Sequence, residues 1–246
     1  MPRSRHSRRS RALALLAVVA ATTVSCSLID PGPEVPEGIP PGPGTPLPAI
    51  DVDAPGRTAG LLNAWATPQA DALGISVTAL EAYGYAAAVL AGSRPDCGIA
   101  WTTLAGIGSL ESKHGTYGGA TVAPDGTAAP SIRGVPLDGG PGVAEIADSD
   151  GGQLDGDSVH DRAMGPMQFI PETWRRWGVD ANGDGVAIAD NIDDAALTAA
   201  VYLCARGGDL TTPEGWQNAL MAYNLSGSYL REVRDRAAAY SVGQSA

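Results

Sequence analysis

Apolar positions along most of this chain repeat with the period of a helix rather than that of a strand. Thr78-x-x-Glu81 has the form of a capping box and opens an Ala-rich run to Leu90. A second run starts near Ile99 and stops at Gly115, a natural C-terminal breaker. Pro171 opens a short helix carrying Trp174 and Trp177, and Ile192 to Ala205 form a longer one ended by Gly207-Gly208. Thr212-Pro213 supply a cap and first turn for a helix to Tyr223, and a last helix spans about Ser228 to Tyr240. Between Gly115 and His160 periodicity is weak, and Gly, Pro and Asp are dense. Loops of that length are usually functional or disordered. A small β-ribbon is expected around Ile132–Leu137. The pattern predicts a mainly α fold with little β, in one domain of about 190 residues, a size that suits a single core.

The first 56 residues do not share this pattern. Residues 1–11 are basic, and Ala12 to Ala21 are apolar but too short to span a bilayer, as in an export signal. Thr23-Val24-Ser25-Cys26 resembles a bacterial lipobox, in which the cysteine is lipidated, although Thr23 replaces the usual aliphatic residue. The alternatives are a soluble secreted protein cut nearby and, through Arg8-Arg9, a twin-arginine signal. Residues 26–56 are rich in Pro and Gly and read as an extended tether. The expected organisation is therefore a signal at 1–25, a tether at 26–56 and a folded domain at 57–246. The exported protein is expected at the outer face of the cell membrane or in the cell wall, anchored by a lipid on Cys26.

Charge narrows the partners. The chain carries −11 formally, but five of its 16 basic residues lie in the first eleven positions. Beyond them 11 basic residues face 27 acidic ones. Such a surface repels phosphate backbones, so no nucleic-acid partner is expected, and a monomer is. Cys26 aside, Cys97 and Cys204 remain. In an oxidising compartment they pair as a disulfide or stay as two buried thiols.

Three segments could carry chemistry. In IAWTTLAGIGSLESKHG, Trp101, Leu104, Gly108 and Glu111 fall on one helical face with Ile107 alongside. Glu111 thus continues an apolar stripe, where partial burial favours the protonated carboxyl that a general acid needs. A helix-end glutamate reaching water is the plain alternative. In RAMGPMQFIP, Gly165-Pro166 form a bend and Gln168 offers both a donor and an acceptor. In AYNLSGSY, Tyr223, Asn224 and Tyr229 offer polar groups and flat faces suited to sugars. His114 and His160 could touch substrate, but neither is assigned a catalytic part.

ESKHG, RAMGPMQFIPETW and MAYN, in this order and 50–60 residues apart, resemble the lytic transglycosylases of the membrane-bound type-B class, most closely their actinobacterial relatives. The resemblance runs from about Cys97 to Val233. It implies a lysozyme-like α+β superfold and cleavage of the MurNAc–GlcNAc bond of peptidoglycan glycan strands. The catalytic glutamate is carried onto Glu111 and the cleft residues onto Gln168, Tyr223, Asn224 and Tyr229. Ser112, Met167 and Phe169 lie in the matching motifs and are expected to bind substrate as well. Ordinary glycosidases use two carboxylates, whereas the resemblance implies one, with no cofactor in the chemistry. Glu111 would act as acid and then base, and the product would be a 1,6-anhydro sugar. A muramidase that uses a carboxylate of the Asp148–Asp161 loop to activate water, and an inactive wall-binding lipoprotein, are the alternatives.

Asp180-Ala-Asn182-Gly-Asp184-Gly-Val186 matches the first seven positions of an EF-hand loop. Position 12 is Asn191 rather than Glu. Some members of the resembled family close a longer loop with an aspartate at position 15, here Asp194. A structural calcium ion on Asp180, Asn182, Asp184, Val186 and Asp194 is expected, against a plain Asp/Asn/Gly turn. The acidic stretch Asp148–Asp157 is expected to be a solvated loop rather than a second metal site.

Overall fold

A computed structural model describes Met1 and residues 34–246. The expected export signal, the lipobox and Cys26 lie outside the described residues. A short 3-10 turn at Thr58–Leu62 leads into α1 (Asn63–Leu73), which ends on Gly74 in the left-handed region. Next comes α2 (Val77–Ser93). Its cap is Ser76, whose hydroxyl accepts the Ala79 amide, and not the Thr78 of the expected capping box. Glu81 is buried and turned to Arg57 and Asn63 instead.

The centre of the domain is α3 (Trp101–Ser112), buried at every position from Trp101 to Gly108. The expected one-sided stripe is therefore a helix enclosed on all sides. Small residues permit this. A Cβ at Gly108 would sit 2.1 Å from the Tyr83 hydroxyl on α2, and one at Gly106 would sit 2.9 Å from the Val233 carbonyl. After Ser112 the chain reverses through Lys113 and His114, both left-handed at φ 53° and 59°, and the His114 amide bonds back to Gly108 O.

The lobe that follows is short of regular structure. β1 (Thr121–Val122) pairs with β2 (Ala128–Ala129), and β3 (Arg133–Pro136) pairs with β4 (Arg162–Met164), both antiparallel. β3 lies in the stretch expected to form a ribbon. Between β3 and β4 the aspartates are occupied by their own loop. Asp148 accepts from the amides of Asp150, Gly151 and Gly152, Asp157 accepts from Val159, His160 and the Arg162 guanidinium, and buried Asp161 accepts from Ser149. These are turn-building side chains.

Four helices complete the domain. α4 (Pro171–Trp177) is short. α5 (Ile192–Gly207) is capped by Asn191 and carries Asp193 and Asp194 in its first turn, where they complement the helix dipole. α6 (Pro213–Tyr223) has Thr212 as its cap, as expected. α7 (Gly227–Ser241) is capped by Ser226 and packs along α3. The result is mostly helical with two small sheets, consistent with a lysozyme-like, α-rich domain.

Three features tie distant segments together. Cys97 and Cys204 form a disulfide, with Cα atoms 5.4 Å apart. Arg57 makes a two-pronged contact with Asp193, at 2.6 and 2.9 Å, and a further ion pair with Glu81. Third, the Pro/Gly-rich segment is not a free tether throughout. Ile39, Leu47, Ile50 and Val52 pack against the core, and the Gly42, Thr45 and Val52 carbonyls accept from Thr102, Trp101 and Tyr85. The packed body therefore begins before the expected boundary at residue 57.

Candidate active site

Glu111 sits in the last turn of α3. Part of its surface remains accessible, but its carboxyl is densely surrounded by protein. Burial raises its pKa from 4.5 to about 7, against the opposing effect of one hydrogen bond. In that bond the Tyr229 hydroxyl on α7 donates to Glu111 Oε1 at 2.6 Å. Burial favours the neutral acid, while the phenol favours the carboxylate. The balance leaves Glu111 able to hold or lose its proton near neutral pH.

The RAMGPMQF segment folds as a tight reversal. Met164 and Phe169 exchange backbone hydrogen bonds at 2.8 and 3.1 Å, with Gly165 and Gln168 both at positive φ. Only glycine fits at 165, because a Cβ there would lie 1.8 Å from the Ala189 carbonyl. Gln168 is held by its side-chain amide, which donates to Gly165 O at 2.9 Å. Ser112, one residue past Glu111, donates to Pro166 O at 2.6 Å and accepts from the Gly115 amide. Ser112 and Met167 are almost wholly buried. They hold the site from beneath. Met167 contributes its carbonyl, which accepts from the Tyr223 hydroxyl at 2.8 Å.

Gln168, Phe169, Tyr223 and Asn224 line one groove of about 610 Å³. Phe169 and Tyr223 meet edge-to-face with centroids 5.7 Å apart. Asn224 ends α6 and is exposed. Glu111 and Ser112 line a second concavity of about 490 Å³, together with Lys113, Tyr117 and Arg236. Glu111 does not itself line the groove, but its charge helps to raise the pKa of Tyr223, which does, after burial, which is the larger cause. Among the described residues, Glu111 is the only acidic side chain lining either hollow.

Two groove residues, Tyr202 and Thr173, were not anticipated from the sequence. Tyr202 lies in an Ala-rich run that reads as core, and only its one-turn spacing from Arg206 hints otherwise. His114 is structural. Its ring bridges the Tyr83 and Tyr240 hydroxyls at 3.2 and 3.0 Å. Burial, helped by the charge of Arg236, lowers its pKa to about 4, so it is neutral.

In the 180–194 loop, Asp180 accepts from the amides of Gly183 and Gly185, and buried Asp194 accepts from those of Ala181 and Ile188. Asp184 is turned to Asn182 and to the Val186 amide. The carboxylates, the Asn182 amide oxygen and the Val186 carbonyl are hard oxygen donors of the kind calcium takes. Their types fit that ion. Among the described residues, however, no group of three or more His, Cys, Asp or Glu side chains converges as a metal site.

A transglycosylase SLT domain model matches residues 158–220. The span runs from the approach to β4 into α6. It includes Gln168 and Phe169, but not Glu111, Tyr223 or Tyr229. No curated protein and no solved structure matches the chain. The match supports the SLT, lysozyme-like transglycosylase superfamily, with peptidoglycan as the substrate class and the cell wall as the place of action. No described helix is long and apolar enough to cross a membrane.

Proposed function

We propose that this chain is a lytic transglycosylase of the membrane-bound type-B kind, with Glu111 as its acid and base. The observation that carries the reading is a carboxyl enclosed by protein, its pKa raised to about 7 and no other acid beside it among the described lining residues, next to a groove of aromatic and amide groups. In the proposed reaction Glu111 gives its proton to the bridging oxygen of the MurNAc–GlcNAc bond, and the C1–O bond breaks. The MurNAc acetamide oxygen stabilises the positive charge at C1. The Glu111 carboxylate then takes the proton of the MurNAc 6-hydroxyl as O6 bonds to C1. Water is not consumed, and the acid form of Glu111 is restored.

The neighbours suit these roles. Tyr229 holds one carboxylate oxygen and leaves the other for the substrate. Tyr223, fixed to the Met167 carbonyl, and exposed Asn224 present a flat face and an amide to the sugar. The acidic-loop carboxylates that a hydrolytic muramidase would use are occupied by loop amides and Arg162. That favours the single-carboxylate route.

Mass spectrometry of products from purified peptidoglycan tests the reading. Muropeptides one water lighter than the hydrolytic products are expected. Reducing MurNAc ends as the sole product would overturn it. The proposed lipid anchor at Cys26 is a separate matter, tested by labelling with an alkyne fatty acid. Label lost in Cys26→Ser supports it, and label retained refutes it.

A further inference from the structure

The groove continues onto a surface that the proposed chemistry leaves unused. Tyr202 lines the groove, and its hydroxyl is committed to the Ala222 carbonyl at 2.9 Å. Its ring meets Tyr223 edge-on at 5.9 Å on one side and Trp177 at 5.5 Å on the other. Over these rings lies Arg206, 4.9 Å from the Tyr202 centroid and 5.7 Å from that of Trp177. Arg176 stands 5.7 Å from the same Trp177 ring. Both arginines are exposed, and among the described residues neither forms an ion pair or a hydrogen bond. Glu172, one turn before Arg176, forms no ion pair with it.

A guanidinium laid against an aromatic face is held in place with its N–H edges pointing outward, and it is weakly hydrated. That pre-organises it for the flat, two-pronged geometry of a carboxylate. Two such groups stand unpaired in a chain where, past residue 11, 11 basic residues face 27 acidic ones. The overall field repels anions. An anionic ligand therefore needs fixed local cations, and Arg206 stacks on Tyr202, which lines the groove, with Arg176 on the neighbouring Trp177. Each muramyl sugar of a peptidoglycan strand bears a short peptide whose free carboxylates are the strand's regular anionic groups.

We infer that Arg206 and Arg176, stacked on Tyr202 and Trp177, bind carboxylates of the peptide stem carried by the sugar in the groove. The inference rests on the transglycosylase reading and adds a specificity site to it. It distinguishes peptide-bearing strands from naked glycan.

The test uses the full chain with Glu111→Gln, so that strands bind without turnover. Sedimentation binding is measured with peptide-bearing strands and with strands stripped by an amidase. Arg176→Gln/Arg206→Gln should bind peptide-bearing strands about tenfold more weakly, as expected for loss of two charge-assisted contacts, and bind stripped strands unchanged. Raised salt should shrink the difference. Equal weakening on both substrates, or none on either, overturns the inference and leaves the transglycosylase reading intact. Weakening only on strands that retain wall phosphate polymer overturns it in favour of a phosphate ligand. If the unsubstituted arginines bind neither strand, the transglycosylase reading fails and this inference with it. Should the double variant not fold, competition on the Glu111→Gln protein decides. Free stem peptide should displace peptide-bearing strands, and failure to compete overturns the inference.

Discussion

The Tyr229 hydroxyl donates to Glu111 Oε1 at 2.6 Å, although the two residues are 118 positions apart. The bond steadies the carboxylate and lowers its pKa, while burial raises it further in the other direction, to about 7. Removing the phenol should leave burial unopposed. In Tyr229→Phe the alkaline limb of the activity profile, where Glu111 loses its proton, should move to higher pH by roughly half a unit to one unit. Turnover should fall by about tenfold as orientation is lost. An alkaline limb that stays in place would show that another group sets it.

Glu111 also links stability to pH. Its folded-state pKa of about 7 lies above the ordinary value of 4.5. The stabilisation from holding its proton is therefore complete below pH 4.5 and is lost as pH rises through about 7. Glu111→Gln removes that loss along with the proton. Release of soluble muropeptides should fall by at least about a hundredfold. By urea unfolding, the variant should gain on the parent by on the order of 2 kcal/mol between acid and mildly alkaline pH, discounted for partial exposure. A stability difference that does not change with pH would contradict the buried carboxyl.

Arg57 joins the start of the helical domain to α2 and α5 through Glu81 and Asp193, which are 4% and 0% exposed. Arg57→Ala leaves both carboxylates buried without their cation. A loss of about 3–5 kcal/mol is expected. Adding Asp193→Asn should recover part of it, because one uncompensated charge is removed. Chemical denaturation of the two variants checks both statements.

The Cys97–Cys204 disulfide closes a separation of 107 residues. Chain entropy alone puts its contribution near 4–5 kcal/mol, and about 2–4 is the usual measured range. The double Cys→Ser variant should melt at a clearly lower temperature while keeping its products unchanged, since neither cysteine lines the groove.

Calcium should raise the melting temperature if the 180–194 loop holds it, and chelator should reverse the gain. Asp184→Ala should abolish the response. A parent protein indifferent to calcium would leave the loop as an Asp/Asn turn closed by its own amides.

The sequence by itself determined most of the helices and their stops, the bend at Gly165-Pro166 and the identity of Glu111, Gln168, Tyr223 and Asn224 as candidates. These are local properties, set by periodicity, caps and short motifs that each span only a few turns. It misjudged residues 39–52, because their few apolar groups become core only against Trp101 and Tyr85, which are distant in the chain. It did not say that Ser112 and Met167 are buried, because a motif does not say which of its side chains turn inward. The tertiary structure alone decided that α3 is enclosed on all sides and that Tyr202 lines the groove with Arg206 stacked on its ring. It alone decided that Glu111 meets Tyr229. Burial and a pKa near 7 depend on every segment packed around one carboxyl, and those segments come together only in the folded chain.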